Sequence, residues 1–155
     1  MTDAIDDLVG KPLPEEYAAA VKQFMEEGIP FNRFLGMRCT LLQRGRAGIE
    51  IPGRPEFTGD PFRPALHGGV ISTLADTVGG LAVFSVVTQQ DRVSTIDLRV
   101  DYLRPVNTAL QAESELIREG NRVAVANVTV FQEGDRRHPV AVAKGVYNIK
   151  RGTPP

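Results

Sequence analysis

The chain has 155 residues, enough to bury a core without disulfide staples, and it reads most simply as one domain over 1–155. With 42% hydrophobic residues, 24% charged residues and a net charge of −1, the composition is ordinary for a globular protein and makes no electrostatic case for nucleic acid. The single cysteine, Cys39, excludes an internal disulfide framework and fits a reducing compartment.

The opening MTDAIDDLVGK is acidic and lacks the apolar run of a signal peptide, so cytoplasmic residence is expected, with residues 1–12 as a loose arm. A helix follows. Pro14 suits a first helical position, Glu15 and Glu16 favour the positive end of the dipole, and Tyr17, Val21, Phe24 and Met25 recur at helical spacing until Gly28. Ile29-Pro30 then predicts an extended exit. Gly36 to Arg44 and Ala47 to Ile51 read as a hairpin turning at Arg44-Gly45-Arg46, in which Cys39 is a small buried hydrophobe. Pro52 to Pro64 predicts an irregular loop in which Phe57 and Phe62 are candidates for the wall of an apolar pocket.

The run Leu66 to Thr88 is the longest apolar segment, and its apolar residues cover nearly all sides of a helical wheel, which predicts a buried helix. Asp76 near its centre, four glycines and the lack of basic flanks argue against a membrane span. Downstream, strands are expected over Val93 to Leu103, Leu110 to Ile117, Val123 to Phe131 and Val140 to Ile149, ahead of a frayed tail at Arg151 to Pro155. The connections are too short for parallel crossovers, so these strands form an antiparallel meander. The fold class is therefore α+β: a curved antiparallel sheet of about six strands wrapped around one long buried helix, with an extra N-terminal helix.

A carboxylate within an apolar helix needs a hydrogen-bond partner, which makes Asp76 the first functional candidate; capping of a helix starting at Thr77 is the structural alternative. Gly68 and Gly69 bare backbone N–H donors at a helix start, a setting that can hold an oxyanion or carbonyl oxygen. His67 is read as a cap that positions those glycines, and Gly79 and Gly80 as thinning the helix for close packing. Neither histidine has a partner at ligand spacing, so no metal is expected. Ser72 lacks a nucleophile elbow, and neither glycine pair fits a phosphate or dinucleotide fingerprint.

The string HGG, five residues, then L-A-D-T resembles the signature of the PaaI-like branch of the hotdog-fold acyl-CoA thioesterases, and STIDLRVDYLRPV resembles that family's T-x-D-L-x-x-x-Y-L-R-P strand. FNRFLGMRC adds to the likeness, which spans roughly residues 15 to 150. The resemblance implies the hotdog fold and hydrolysis of an acyl- or aryl-CoA thioester. It casts Asp76 as general base or nucleophile, the Gly68 backbone N–H as the group polarising the carbonyl, and Thr95 as the neighbour of the carboxylate. His67, Gly69, Asp60, Phe62 and Ser94 are the expected substrate-binding residues. Arg104 joins them as a candidate for the coenzyme A phosphates, alongside Arg136, Arg137 and Lys144. No cofactor is expected, because coenzyme A belongs to the substrate.

The chain departs from the pattern at Asp60-Pro61, seven and six residues before His67, where many relatives carry Asn-Pro one position later. Two other readings stay open: a hotdog enoyl-CoA hydratase, through a faint G-D-x-N-P-x-H likeness, and an acyl-CoA-binding module without turnover. Gly68 and Asp76 lie about 12 Å apart along one helix, too far to serve one thioester. The expected assembly is thus a two-fold homodimer with composite sites, extending to a dimer of dimers, a homotetramer, with no nucleic acid or membrane partner.

Overall fold

The computed structural model describes residues 8–152. Helix α1 (Glu15–Gln23) begins after Pro14 with Glu15 and Glu16 in its first turn, then widens into a π-helical turn at Phe24–Gly28. Ile29 is extended, as expected, but the chain does not leave from there. Pro30 starts a second helix, α2 (Pro30–Leu35), closed by Gly36 at φ 72°, a left-handed position that favours glycine.

The hairpin β1 (Arg38–Gln43) and β2 (Arg46–Ile51) is followed by a 3-10 turn at Pro55–Phe57. A miniature sheet, β3 (Thr58–Asp60) and β4 (Ala65–Leu66), then orders part of the stretch expected to be irregular. Next come α3 (Gly68–Phe84) and the strands β5 (Arg92–Tyr102), β6 (Leu110–Glu119), β7 (Val123–Gln132) and β8 (Ala141–Lys150). Six strands form one antiparallel sheet in the order β1-β2-β6-β7-β8-β5, leaving β1 and β5 at its edges.

One face of this sheet holds α3, which completes the hotdog arrangement. Burial alternates along β6 (Leu110, Ala112, Ser114, Leu116), β7 (Ala124, Ala126, Val128, Val130) and β8 (Ala141, Ala143, Gly145, Tyr147, Ile149), as the two-residue period of a strand requires. Small residues at the centre of that face admit the helix closely. Ile71, Leu74, Ala75, Val78, Leu81 and Ala82 enter the same core.

The helix is not enclosed all round. Thr73, Asp76, Thr77, Gly80 and Phe84 form a half-exposed stripe, because a single sheet layer can cover only one side of a helix. The described parts of both termini are tied down. The Gly10 N–H donates to the Arg44 carbonyl at 2.8 Å, and the Arg44 N–H donates to Lys11 at 2.9 Å. Asp91 accepts from Arg151 and from the Gly152 N–H. The rest of the expected arm and tail, residues 1–7 and 153–155, lies outside the described residues.

Strand β5 changes the face it presents partway along. Its register to β8 shifts between Thr95 and Asp97, leaving Ile96 as a bulge that is 58% exposed. Val93 and Thr95 point toward α3 before the bulge; Leu98, Val100 and Tyr102 do so after it. An extra residue in one strand reverses the side-chain parity beyond it, and here it lets both halves of a long edge strand meet one helix.

Candidate active site

Two clusters stand at opposite ends of the first half of α3. At the first, the Thr95 hydroxyl donates to Asp76 Oδ1 at 2.8 Å, so the helix carboxylate and the strand hydroxyl expected to be neighbours are in contact. Beneath them, the buried Tyr147 hydroxyl donates to the main-chain oxygen of Asp76 at 3.0 Å. Burial, and then the negative charge of Asp76, push the Tyr147 phenol well above its ordinary value, so it remains a protonated donor. The helix turn that carries Asp76 is thereby held from the sheet.

The second cluster is the helix start. His67 caps it: Nδ1 accepts from the Gly69 N–H at 2.8 Å, which assigns the imidazole proton to Nε2 when the ring is neutral. The Gly69 carbonyl is engaged as well, accepting from Ser72 and Thr73. Gly68 differs. Its carbonyl accepts from the Tyr102 hydroxyl at 3.0 Å, while its N–H meets no acceptor among the described residues. A Cβ added at Gly68 would lie 3.3 Å from the Tyr102 ring, so the glycine makes room for that tyrosine. Gly68, Tyr102, Leu103 and Arg104 line a cavity of about 400 Å³, and the Arg104 Nε donates to the Pro139 carbonyl at 3.3 Å.

The remaining expected residues do not join either cluster within one chain. Asp60 organises its own loop, accepting from the Phe62 N–H and from the Arg63 N–H and Nε. Those contacts, the Phe62 N–H foremost, hold its carboxyl below the usual carboxylate range. Phe62 is 93% exposed, and Ser94 is exposed beside Asn148 of β8. Phe57 and Phe62 share no wall, because Phe57 is 4% exposed within the core while Phe62 stands in solvent. Cys39 is half-buried, and burial raises its thiol pKa, consistent with a structural role.

Two contributors, Tyr102 and Tyr147, carried no assigned role in the sequence. The signal for Tyr102 is the even-numbered apolar series Leu98, Val100, Tyr102; for Tyr147 it is a lone large residue in the inward series Ala141, Ala143, Gly145. Among the described residues, no group of three or more His, Cys, Asp or Glu side chains is placed to hold a metal ion, and no helix is long and apolar enough to cross a membrane.

A helix-borne carboxylate beside a strand hydroxyl, with a free N–H at a capped glycine start, is a set of groups suited to acyl transfer. Residues 64–138 match the family model described as thioesterase superfamily. The chain is 39% identical over 119 residues to the medium/long-chain acyl-CoA thioesterase YigI of Escherichia coli, covering 68% of this chain and 77% of that protein. Among solved structures, a thioesterase family protein from Silicibacter pomeroyi superposes with a TM-score of 0.79 at 27% identity, over 88% of this chain and 99% of that one. The Escherichia coli PaaI protein shares the fold, with a TM-score of 0.77 at 21% identity over 89% and 96% of the two chains. The chain belongs to the thioesterase superfamily and is, by family, a hotdog-fold thioester hydrolase.

Proposed function

We propose that the protein hydrolyses acyl-CoA thioesters to a free acid and coenzyme A in composite sites across a two-fold dimer, with no cofactor beyond the coenzyme A of the substrate. The observation that carries this reading is the Asp76–Thr95 hydrogen bond on one flank of α3, paired with the unengaged Gly68 N–H at its start. The similarity to YigI, by name a medium/long-chain acyl-CoA thioesterase, supports an aliphatic substrate.

The Gly68 N–H of one protomer holds the carbonyl oxygen and stabilises the negative charge that develops on it. Asp76 of the other protomer, oriented by Thr95, takes a proton from water as the water oxygen bonds to the carbonyl carbon, or attacks that carbon itself. The C–S bond then breaks and the thiolate leaves with its electron pair, picking up a proton to become coenzyme A; where Asp76 has itself attacked, water then hydrolyses the acyl–aspartyl anhydride, releasing the acid and restoring the carboxylate. Arg104, which lines the cavity at the Gly68 end, is assigned to the coenzyme A moiety, and the exposed Asp60–Phe62 loop to the border of the partner's site; the position of Arg104 beside Gly68 supports the first assignment and the exposure of the loop the second.

Two α3 helices running antiparallel across a two-fold axis beside Ser72, the midpoint of Gly68 and Asp76, would set each Gly68 opposite the other chain's Asp76 and leave Gly80 and Phe84 beyond the crossing. Subunit mixing tests both chemistry and assembly. An Asp76→Asn chain and a Gly68→Val chain, each inactive alone, should together recover about a quarter of wild-type activity, since half of the randomly paired dimers hold one intact site of two. No recovery, with subunit exchange demonstrated and both parents folded, refutes the composite site. Crotonyl-CoA separates the chemistries: loss of enoyl absorbance without thiol release would indicate a hydratase instead.

A further inference from the structure

Away from the catalytic cluster, an apolar cavity of about 550 Å³ opens between α1, the C-terminal end of α3 and the start of β5. Tyr17, Ala20, Val21, Phe24, Phe84 and Val93 form its apolar wall. The rings of Phe24 and Phe84 meet edge-on, with centroids 6.2 Å apart, and Phe24 is 50% exposed on the π-helical turn. The volume falls in the range of small-molecule sites.

The cavity lies in line with the site already described. Asp76, Gly80 and Phe84 stand at four-residue steps on the half-exposed stripe of α3, and Thr95 and Val93 stand two apart on the same face of β5. The Asp76–Thr95 pair and the Phe84–Val93 pair thus bracket one stretch of the seam, or groove, between helix and edge strand. Gly80 lies between them, where an added Cβ would meet only the Tyr147 ring, at 3.7 Å, so the glycine leaves the groove open.

Of the polar residues lining the cavity, Thr88, Gln89 and Arg92 are exposed to solvent, and the other two, Tyr17 and Asp91, are already paired. The Tyr17 hydroxyl is turned away, 2.8 Å from the Phe84 carbonyl oxygen and 2.7 Å from that of Val87. The Asp91 carboxylate is engaged by the Thr88 and Gly152 N–H groups and by Arg151. Neither would lose a hydrogen bond to a hydrocarbon. From Asp76 to Phe84 is about 12 Å at 1.5 Å per residue. Carbon–carbon bonds of about 1.5 Å advance an extended chain by about 1.25 Å each, so roughly ten carbons span the groove.

We infer that this cavity receives the terminal methylenes of a medium- or long-chain acyl group whose thioester lies at Asp76, and that Phe24 and Phe84 set the chain length preferred. The inference rests on the proposed thioesterase reading. It identifies the occupant as the substrate's own tail rather than a docked helix or a second copy of the chain.

The test replaces Ala20, exposed on α1, by tryptophan to fill the cavity without touching the core. Steady-state hydrolysis of C4, C8, C12 and C14 acyl-CoA is compared with wild type. Each methylene withdrawn from water is worth about fourfold in kcat/KM, so the C14-to-C8 ratio should fall at least tenfold in Ala20→Trp. An unchanged ratio in a folded variant overturns the inference and leaves the thioesterase reading standing. A second measurement does not depend on turnover: a C14 acyl-CoA carrying a terminal diazirine, photolysed on the wild-type protein, should label Phe24, Phe84 or their neighbours in sequence. Labelling elsewhere overturns the inference, whereas labelling here without hydrolysis would keep it and remove the activity.

Discussion

The contact between Gly79 and Tyr147 gives the structure its sharpest test of how the Asp76 segment is supported. A Cβ on Gly79 would land on the Tyr147 hydroxyl and lie 2.9 Å from Cζ of the same ring. The ring cannot withdraw, because it is 1% exposed and rests on Gly145, where an added Cβ would collide with it from the other side. Gly79→Ala therefore overpacks the core at a cost of about 1–3 kcal/mol. It also breaks the hydroxyl's bond to the Asp76 carbonyl, at about 1 kcal/mol, and is offset by about 1 kcal/mol through the better helix propensity of alanine. The net loss is about 1–3 kcal/mol, or roughly 3–10 °C in Tm for a chain of this size.

Tyr147→Phe alone should cost about 1 kcal/mol. Combined with Gly79→Ala it removes the closest of the clashes, that with the hydroxyl, and leaves the contact with Cζ at 2.9 Å, so the double variant should be more stable than the sum of the single effects predicts, by about 1 kcal/mol. Urea unfolding followed by circular dichroism, at one fixed protein concentration because association contributes to stability, measures all four corners of the cycle. A neutral Gly79→Ala, or strictly additive effects, would refute the claim that this glycine exists to admit the tyrosine.

Three further outcomes follow from the site. Asp76→Asn should preserve the fold and lower kcat by about 10²–10⁴, since the amide can neither take a proton nor attack; a rate within about threefold of wild type removes Asp76 from the chemistry. Thr95→Val should lower kcat about 10- to 100-fold while Thr95→Ser restores most of it, because the hydroxyl orients the carboxylate; equal rates in the two variants would count against that role. Asp91, held down to about 2 first by the Thr88 N–H and then by the Gly152 N–H, sits below the ordinary aspartate value near 3.9. Its contribution to stability is complete above about pH 4 and is lost as the pH falls through about 2, so the gap between wild type and Asp91→Asn should close over that window. A gap constant with pH would contradict the assignment.

The order of elements is written in local pattern. Proline at a helix start, a two-residue period in each strand and an apolar run after HGG are properties of short windows, and they place α1, the hairpin, α3 and the last four strands within a few residues of where they lie. The helix α2 was missed because Pro30 reads equally as an exit from one helix and the first residue of another. The Asp76–Thr95 contact came from the family resemblance. Periodicity alone does not bring a residue of α3 to one of β5.

What the tertiary structure alone decided depends on which surfaces meet. The bulge at Ile96 exists because Val93 and Thr95 on one side of it, and Leu98, Val100 and Tyr102 on the other, must all reach the same helix. Its only trace in the sequence is a change of parity that a run of alternating residues conceals. The open stripe on α3 is likewise invisible in an all-round apolar segment, since burial is set by how much sheet is available to cover it. Phe57 and Phe62 share a loop yet divide between core and solvent, while Phe24 and Phe84, 60 residues apart, meet at one cavity. Sequence spacing encodes which side of its own element a residue occupies; which element lies opposite is settled only when sheet order and helix docking bring distant segments into contact.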